Sequence, residues 1–271
     1  MARPPDRGFD LLLTGSGEPT TVFAHGLAGS IAETRPFGSG VRGTRAFFHF
    51  RGHGSSPISR SPGGSAADRT SDRTDAWTYD DLAAELRQVA DGTGATRGVG
   101  VSLGAGALLR LLTHNPQRFD RVVIVLPASL DAPRPDHVVR RYLAAADLVE
   151  RRDLAALAAE LLGLQPRLAR TNPDVLAWAD RRARDLVDLP IAPVLRAFAD
   201  QPPVSDRRPL AHVEVPVLVI GQEDDDVHPA GIARELAALL PNATLAVFPP
   251  GGLLWAHRHA LRDQLAAFLN A

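Results

Sequence analysis

A serine between two glycines, in Gly100-Val101-Ser102-Leu103-Gly104, is the residue of this chain best placed to act as a nucleophile. The spacing has a mechanical meaning. A serine lifted above a sheet sits on a very tight strand-to-helix turn, and glycines two residues to either side let the strand and helix backbones approach closely. The flanks agree, since Gly98 to Val101 reads as a short buried strand and Leu103 to His114 as an apolar helix stopped by Asn115-Pro116. A hydroxyl is a weak nucleophile unless a base takes its proton, and an acyl-transfer intermediate needs donors for its oxyanion. Other polar groups stand at His25-Gly26, in the acidic run Asp224-Asp225-Asp226, and at His257 and His259. The last two fall on opposite faces of a helix, and no second cluster of histidines and carboxylates has ligand spacing, so neither a metal nor another cofactor is expected.

The elements that must hold these groups alternate between strand and helix. Phe9 to Thr14 and Thr20 to Ala24 read as strands, the second running straight into His25-Gly26-Leu27-Ala28-Gly29-Ser30. Arg45 to Phe50 is the next strand and ends in Arg51-Gly52-His53-Gly54-Ser55-Ser56, after which Ser59 to Ala76 is expected to be a mobile surface loop. Trp77 precedes an amphipathic helix with Leu82, Leu86 and Val89 on one face, and that helix leads to the Ser102 turn. Arg121 to Leu126 is a strand apolar enough to be buried on both faces. From Asp131 to Leu210 there are helical segments but no strand. Strands resume at Val215 to Ile220 and Thr244 to Phe248, separated by a helix from Ala230 to Leu240 and followed by a C-terminal helix. This pattern predicts an α/β fold with a doubly wound, mostly parallel sheet. Residues 131–210 would form a helical cap inserted into a core made of 1–130 and 211–271.

Composition narrows the chemistry. The chain has 271 residues, 45% of them hydrophobic and 23% charged, with a net charge of −1, which recruits neither nucleic acid nor an anionic membrane. It contains no cysteine, and all 30 basic residues are arginine, so thiolate nucleophiles, Schiff-base lysines and phosphate-loop lysines are excluded. No apolar run reaches 18 residues and the N-terminus lacks a signal-peptide core, so a cytoplasmic location is expected.

Taken in order, these features resemble the α/β-hydrolase superfamily, in its branch of small capped serine hydrolases. The resemblance covers nearly the whole chain through the His25-Gly26 turn, the Arg51 to Ser56 loop, Trp77, the Ser102 elbow and the acidic loop before His228-Pro229. It implies that Ser102 is the nucleophile, with the backbone N–H groups of Leu27 and Leu103 forming the oxyanion hole and His25 and Gly26 lying beside a small-molecule substrate. In this family the histidine beside the oxyanion turn hydrogen-bonds within its own loop, and His53 is read the same way. The acid is Asp224 counted from Gly221 or Asp225 counted from Pro229, and the ending of the loop favours Asp225. Asp131 is a more distant alternative.

The chain departs from the family at the base. Where relatives carry a Gly-His pair after the last strand, this sequence has Gly251-Gly252. His257 shares a helix face with Leu254, Leu261 and Leu265, so it is either a displaced base or a half-buried helix histidine. A triad of Ser102, His257 and Asp225 would hydrolyse a small, largely hydrophobic ester, thioester or lactone. The missing pair leaves two alternatives: non-hydrolytic chemistry on the same fold, such as proton transfer, elimination or cyclisation, and a silent small-ligand binding protein.

Overall fold

The apolar runs assemble into one seven-stranded sheet with the order β1-β3-β2-β4-β5-β6-β7. In this computed structural model, which describes residues 9–56 and 77–271, the strands are β1 (Leu11–Thr14), β2 (Thr20–Ala24), β3 (Thr44–Phe48), β4 (Arg97–Val101), β5 (Arg121–Val125), β6 (Val217–Gln222) and β7 (Ala243–Phe248). The expected loop from Ser59 to Ala76 lies outside the described residues. All pairings are parallel except β1 with β3, where Leu11 faces Phe48. The doubly wound sheet is therefore the one that the alternation of strands and helices predicts. β2, β4, β5 and β6 are buried along nearly their whole length, as parallel strands covered on both faces must be.

The chain winds outward from β2 to β3 on one side and to β4 on the other. Ligand sites in open α/β sheets lie at such a reversal, beyond the carboxyl ends of the strands. The His25-Gly26 turn leaves the end of β2 and Ser102 leaves the end of β4, so the topology brings them together.

Helices cover both faces. α1 (Ile31–Thr34) follows β2, and α2 (Tyr79–Thr93) starts at a capping box in which Thr78 and Asp81 each bond the other's backbone. α3 (Leu103–His114) begins directly after Ser102. Four helices lie between β5 and β6: α4 (Asp136–Arg151), α5 (Leu154–Gly163), α6 (Pro173–Val187) and α7 (Ala192–Ala197). The proline and Asn-Pro breaks delimit the last three within a residue or two. α4 starts directly after Pro135, and Val138, Tyr142, Ala145 and Val149 recur along it at helical spacing and are buried. α8 (Ala230–Leu239) and α9 (Arg258–Asn270) complete the layers.

The packing of α3 against the sheet depends on the two glycines around Ser102. A methyl on Gly104 would sit 2.6 Å from the Ala24 carbonyl carbon, and one on Gly100 equally close to the carbonyl carbon of Gly104. Both obstacles are backbone, which cannot rotate away. Gly104→Ala is expected to cost about 3 kcal/mol through overpacking. In a chain of this size that should lower the thermal unfolding midpoint by roughly 6–10 °C, which calorimetry would measure.

Candidate active site

Ser102 has φ 50° and ψ −104°, a conformation that costs a non-glycine residue on the order of 1–3 kcal/mol and persists only where its surroundings enforce it. They do so here. Its N–H donates to the Val125 carbonyl of β5 at 2.9 Å, and its carbonyl accepts from Gly106 N–H at 3.0 Å. The turn after β2 closes from the other side, where Gly104 N–H donates to the His25 carbonyl at 3.0 Å. A methyl on Gly26 would lie 3.6 Å from Ser102 Cβ, so this turn and the serine are in near contact.

The nitrogen that reaches Ser102 belongs to His228. Its Nε2 lies 2.9 Å from Ser102 Oγ, and its Nδ1 lies 3.1 Å from Asp225 Oδ2. The other carboxylate oxygen of Asp225 accepts the backbone N–H groups of Val227 at 3.0 Å and His228 at 2.9 Å. Asp225 is buried, whereas Asp224 and Asp226 on either side are exposed. Burial, the largest single influence, pushes the Asp225 carboxyl up. The charge of His228 and the hydrogen bonds from its ring, its N–H and that of Val227 together outweigh burial and hold the group below its ordinary value. An ionised carboxylate accepts and cannot donate, so Nδ1 carries the shared proton and Nε2 is left to accept from the serine hydroxyl.

His257 lies elsewhere. Its Nε2 donates to the Pro250 carbonyl at 3.2 Å, its ring leans on Phe248, and it takes no part in lining the cavity around Ser102. Helical spacing pointed inward at this position, but no α-helix is present there. Gly252–Ala256 forms a single wide π-type turn, and α9 starts only after His257, at Arg258. Gly252 itself has φ 90°, and a methyl there would come within 2.6 Å of Trp255 Cδ1. A histidine at this position would be both strained and obstructed. The sequence held a signal for His228 all the same, in the Asp-x-x-His spacing that puts base and acid on one short loop.

Leu27 and Leu103, the residues expected to offer oxyanion donors, lie on the two turns that meet beside Ser102. Leu27 lines the cavity, and Leu103 is the first residue of α3, whose N–H has no acceptor within the helix. The loop carrying Leu27 is pinned by three imidazoles. His25 donates from Nδ1 to the Gly26 carbonyl at 2.7 Å and accepts Phe50 N–H on Nε2 at 3.1 Å. His53 donates to the Arg51 carbonyl and accepts Ala28 N–H, both at 3.1 Å. His49 accepts Ile31 N–H at 2.9 Å and lies 2.8 Å from Asp10. His25 thus borders the cavity with both ring nitrogens engaged by the main chain.

The bonds of His25 and His53 require neutral rings. Burial is the main reason that His25 is held well below the ordinary imidazole value and His53 at about 3, with the positive charge of Arg182 adding to both. The unfolded chain binds these two protons near pH 6.5, whereas the folded chain refuses them, so stability is lost as pH falls from about 6.5 toward 3. Each such proton contributes a slope of about 1.4 kcal/mol per pH unit. His53→Gln, whose amide oxygen can still accept Ala28 N–H, is expected to flatten the acid slope by about one proton in urea titrations between pH 6 and 4.5.

The cavity over Ser102 has a volume of about 350 Å³. Its walls are mainly apolar, with Val101 at the end of β4, Leu126 just after β5, and Tyr142, Leu161 and Leu186 from α4, α5 and α6. Among the described residues, no three His, Asp or Glu side chains are grouped to hold a metal ion, and no helix is long and apolar enough to cross a membrane.

The chain belongs to the α/β-hydrolase family, whose model, described as alpha/beta hydrolase fold, matches residues 19–253. It is 32% identical over 186 residues to RutD of Caulobacter sp. (strain K31), a protein named for carbamate hydrolysis, covering 66% of this chain and 67% of that one. Its fold is similar to the enol-lactonase of Burkholderia xenovorans LB400, with a TM-score of 0.74 and 20% identity over 97% of this chain and 96% of the other. The esterase of Exiguobacterium antarcticum superposes equally well, with a TM-score of 0.74 at 17% identity over 97% and 96%.

Proposed function

We propose that this protein is a serine hydrolase of small, largely apolar carboxylic or carbonic acid derivatives, using Ser102, His228 and Asp225. The observation that carries the reading is the continuous hydrogen-bond path from Ser102 Oγ through the His228 ring to Asp225. In it, Ser102 Oγ attacks the substrate carbonyl while His228 Nε2 takes its proton, and the ionised Asp225 stabilises the imidazolium and fixes its tautomer. The N–H groups of Leu27 and Leu103 receive the oxyanion. Collapse expels the leaving group with the proton from His228. A water deprotonated by the same nitrogen then releases the acid from Ser102.

Residues 131–210 act as the cap in this reading, since α4 to α6 supply the apolar wall opposite the sheet. Esters, thioesters and lactones share the tetrahedral intermediate that such a site stabilises. So do carbamates, the class in the name of the Caulobacter relative. The non-hydrolytic and binding alternatives drew their appeal from the lack of a base, a role for which His228 is now available.

The reading is tested by incubating the protein with a fluorophosphonate and measuring adduct mass on the intact chain. One adduct is expected on the native protein, none on Ser102→Ala and little on His228→Ala, with circular dichroism verifying that both variants are folded. A folded native protein that forms no adduct refutes it.

A further inference from the structure

One corner of the cavity differs chemically from its apolar walls. Glu33, in the first turn of α1, accepts the Trp178 Nε1–H at 2.7 Å. The rings of Trp178 and Trp255 meet edge to face, with centroids 5.7 Å apart and planes at 68°, and Trp255 Nε1–H donates to Gln165 Oε1 at 3.0 Å. All four residues line the cavity, although they come from four separate parts of the chain. Because both indole N–H groups are occupied within the protein, the tryptophans offer a ligand ring surface and no donor.

The charges around this corner do not balance. Glu33 has a second, weaker contact with Ser30 Oγ at 3.4 Å and no ion pair among the described residues. Arg182 borders the same cavity, but its guanidinium is engaged by the Ala28 and Gly29 carbonyls and faces Asp185 at 3.8 Å. Asp225 is satisfied by the His228 ring and by the backbone N–H groups of Val227 and His228. What remains is one half-buried carboxylate beside two aromatic rings. A neutral indole donor returns only part of the hydration that a carboxylate loses in such a place. A cation would supply the rest, and the negative faces of the rings attract the same cation. An anionic group would be repelled by Glu33.

We infer that the corner formed by Glu33, Trp178 and Trp255 binds an alkylammonium group. The preferred substrate, on the hydrolase reading above, is then an ester whose apolar chain carries a cationic amine. Size is consistent with this, since about 350 Å³ holds a ligand of modest length with its reactive carbonyl at Ser102.

Two measurements test the inference, and only the second needs turnover. Tetraethylammonium chloride is titrated into the Ser102→Ala protein at constant ionic strength and tryptophan fluorescence is followed. Saturable change is expected, weakened about tenfold in Ser102→Ala/Glu33→Gln, in which the amide oxygen keeps the Trp178 bond and only the charge is lost. Hydrolysis of butyrylcholine is then compared with that of 3,3-dimethylbutyl butyrate, its uncharged isostere. The native protein should favour the cationic ester in kcat/KM by roughly tenfold, a ratio that falls toward one in Glu33→Gln. No saturable ammonium binding, or a ratio near one in the native protein, overturns the inference and leaves Glu33 as an anchor for Trp178. Failure of the hydrolase reading appears separately, as a missing phosphonate adduct on a protein that still binds tetraethylammonium.

Discussion

His228→Ala is expected to lower kcat/KM on p-nitrophenyl butyrate by about 10⁴-fold or more, while His257→Ala leaves it within about twofold. The contrast follows from geometry. His228 Nε2 is 2.9 Å from Ser102 Oγ, whereas the corresponding nitrogen of His257 is taken up by the Pro250 carbonyl. Without an acceptor for its proton the serine is an ordinary alcohol, and what remains is the contribution of binding and oxyanion stabilisation. Moving the histidine to the family's usual place should not restore the rate. In His228→Ala/Gly252→His the new side chain would start from φ 90° and meet Trp255 Cδ1 at 2.6 Å before reaching the serine. Stopped assays of the four proteins at pH 8, each checked by thermal unfolding, measure this. A large loss in His257→Ala with activity retained in His228→Ala would reverse the assignment of the base.

The features legible in the sequence are those written over a few adjacent residues. Gly100 and Gly104 announce the turn that carries Ser102, because only a close strand-helix approach demands them at that spacing. The apolar runs at Val122 to Val125 and Val217 to Ile220 likewise announce strands buried on both faces. Asp225 could be preferred over Asp224 from its distance to Pro229, and it is the buried one of the pair. His257 is misplaced by a helical spacing that runs from Leu261 and Leu265 back to Leu254, because the segment before Arg258 makes a wide turn instead. The histidines under the oxyanion loop are hidden for another reason. Their partners lie 25 residues away for His25 and His53 and 18 for His49, and nothing in the local sequence records a bond of that range. Glu33 and the tryptophans are likewise brought together only by tertiary packing.

Arg182→Met is expected to lower kcat by about a hundredfold with little change in KM. This residue contacts no reacting atom in the proposed mechanism. Its guanidinium, carried on α6, donates from Nε to the Ala28 carbonyl at 2.8 Å and from a terminal nitrogen to the Gly29 carbonyl at 3.1 Å. Ala28 adopts φ 52°, a left-handed conformation that a non-glycine residue holds only when it is clamped, and the clamp on its N–H side is His53 Nε2 at 3.1 Å. Arg182 thus fixes from above the loop whose Leu27 N–H is assigned to the oxyanion, tying the position of α6 to the readiness of the hole below it. Losing the clamp should disorder a donor needed more in the transition state than in the bound substrate, which is why kcat carries the effect. Acid stability separates this role from simple support. Burial does most to depress the pKa values of His25 and His53, and the positive charge of Arg182 adds to it in both, so Arg182→Met should move the lower end of the acid limb of folding stability to higher pH in urea titrations. Arg182→Lys, which keeps the charge, should leave that limb in place while still losing part of kcat. A loss of kcat in Arg182→Met with no movement of that limb would reduce Arg182 to a packing residue of α6.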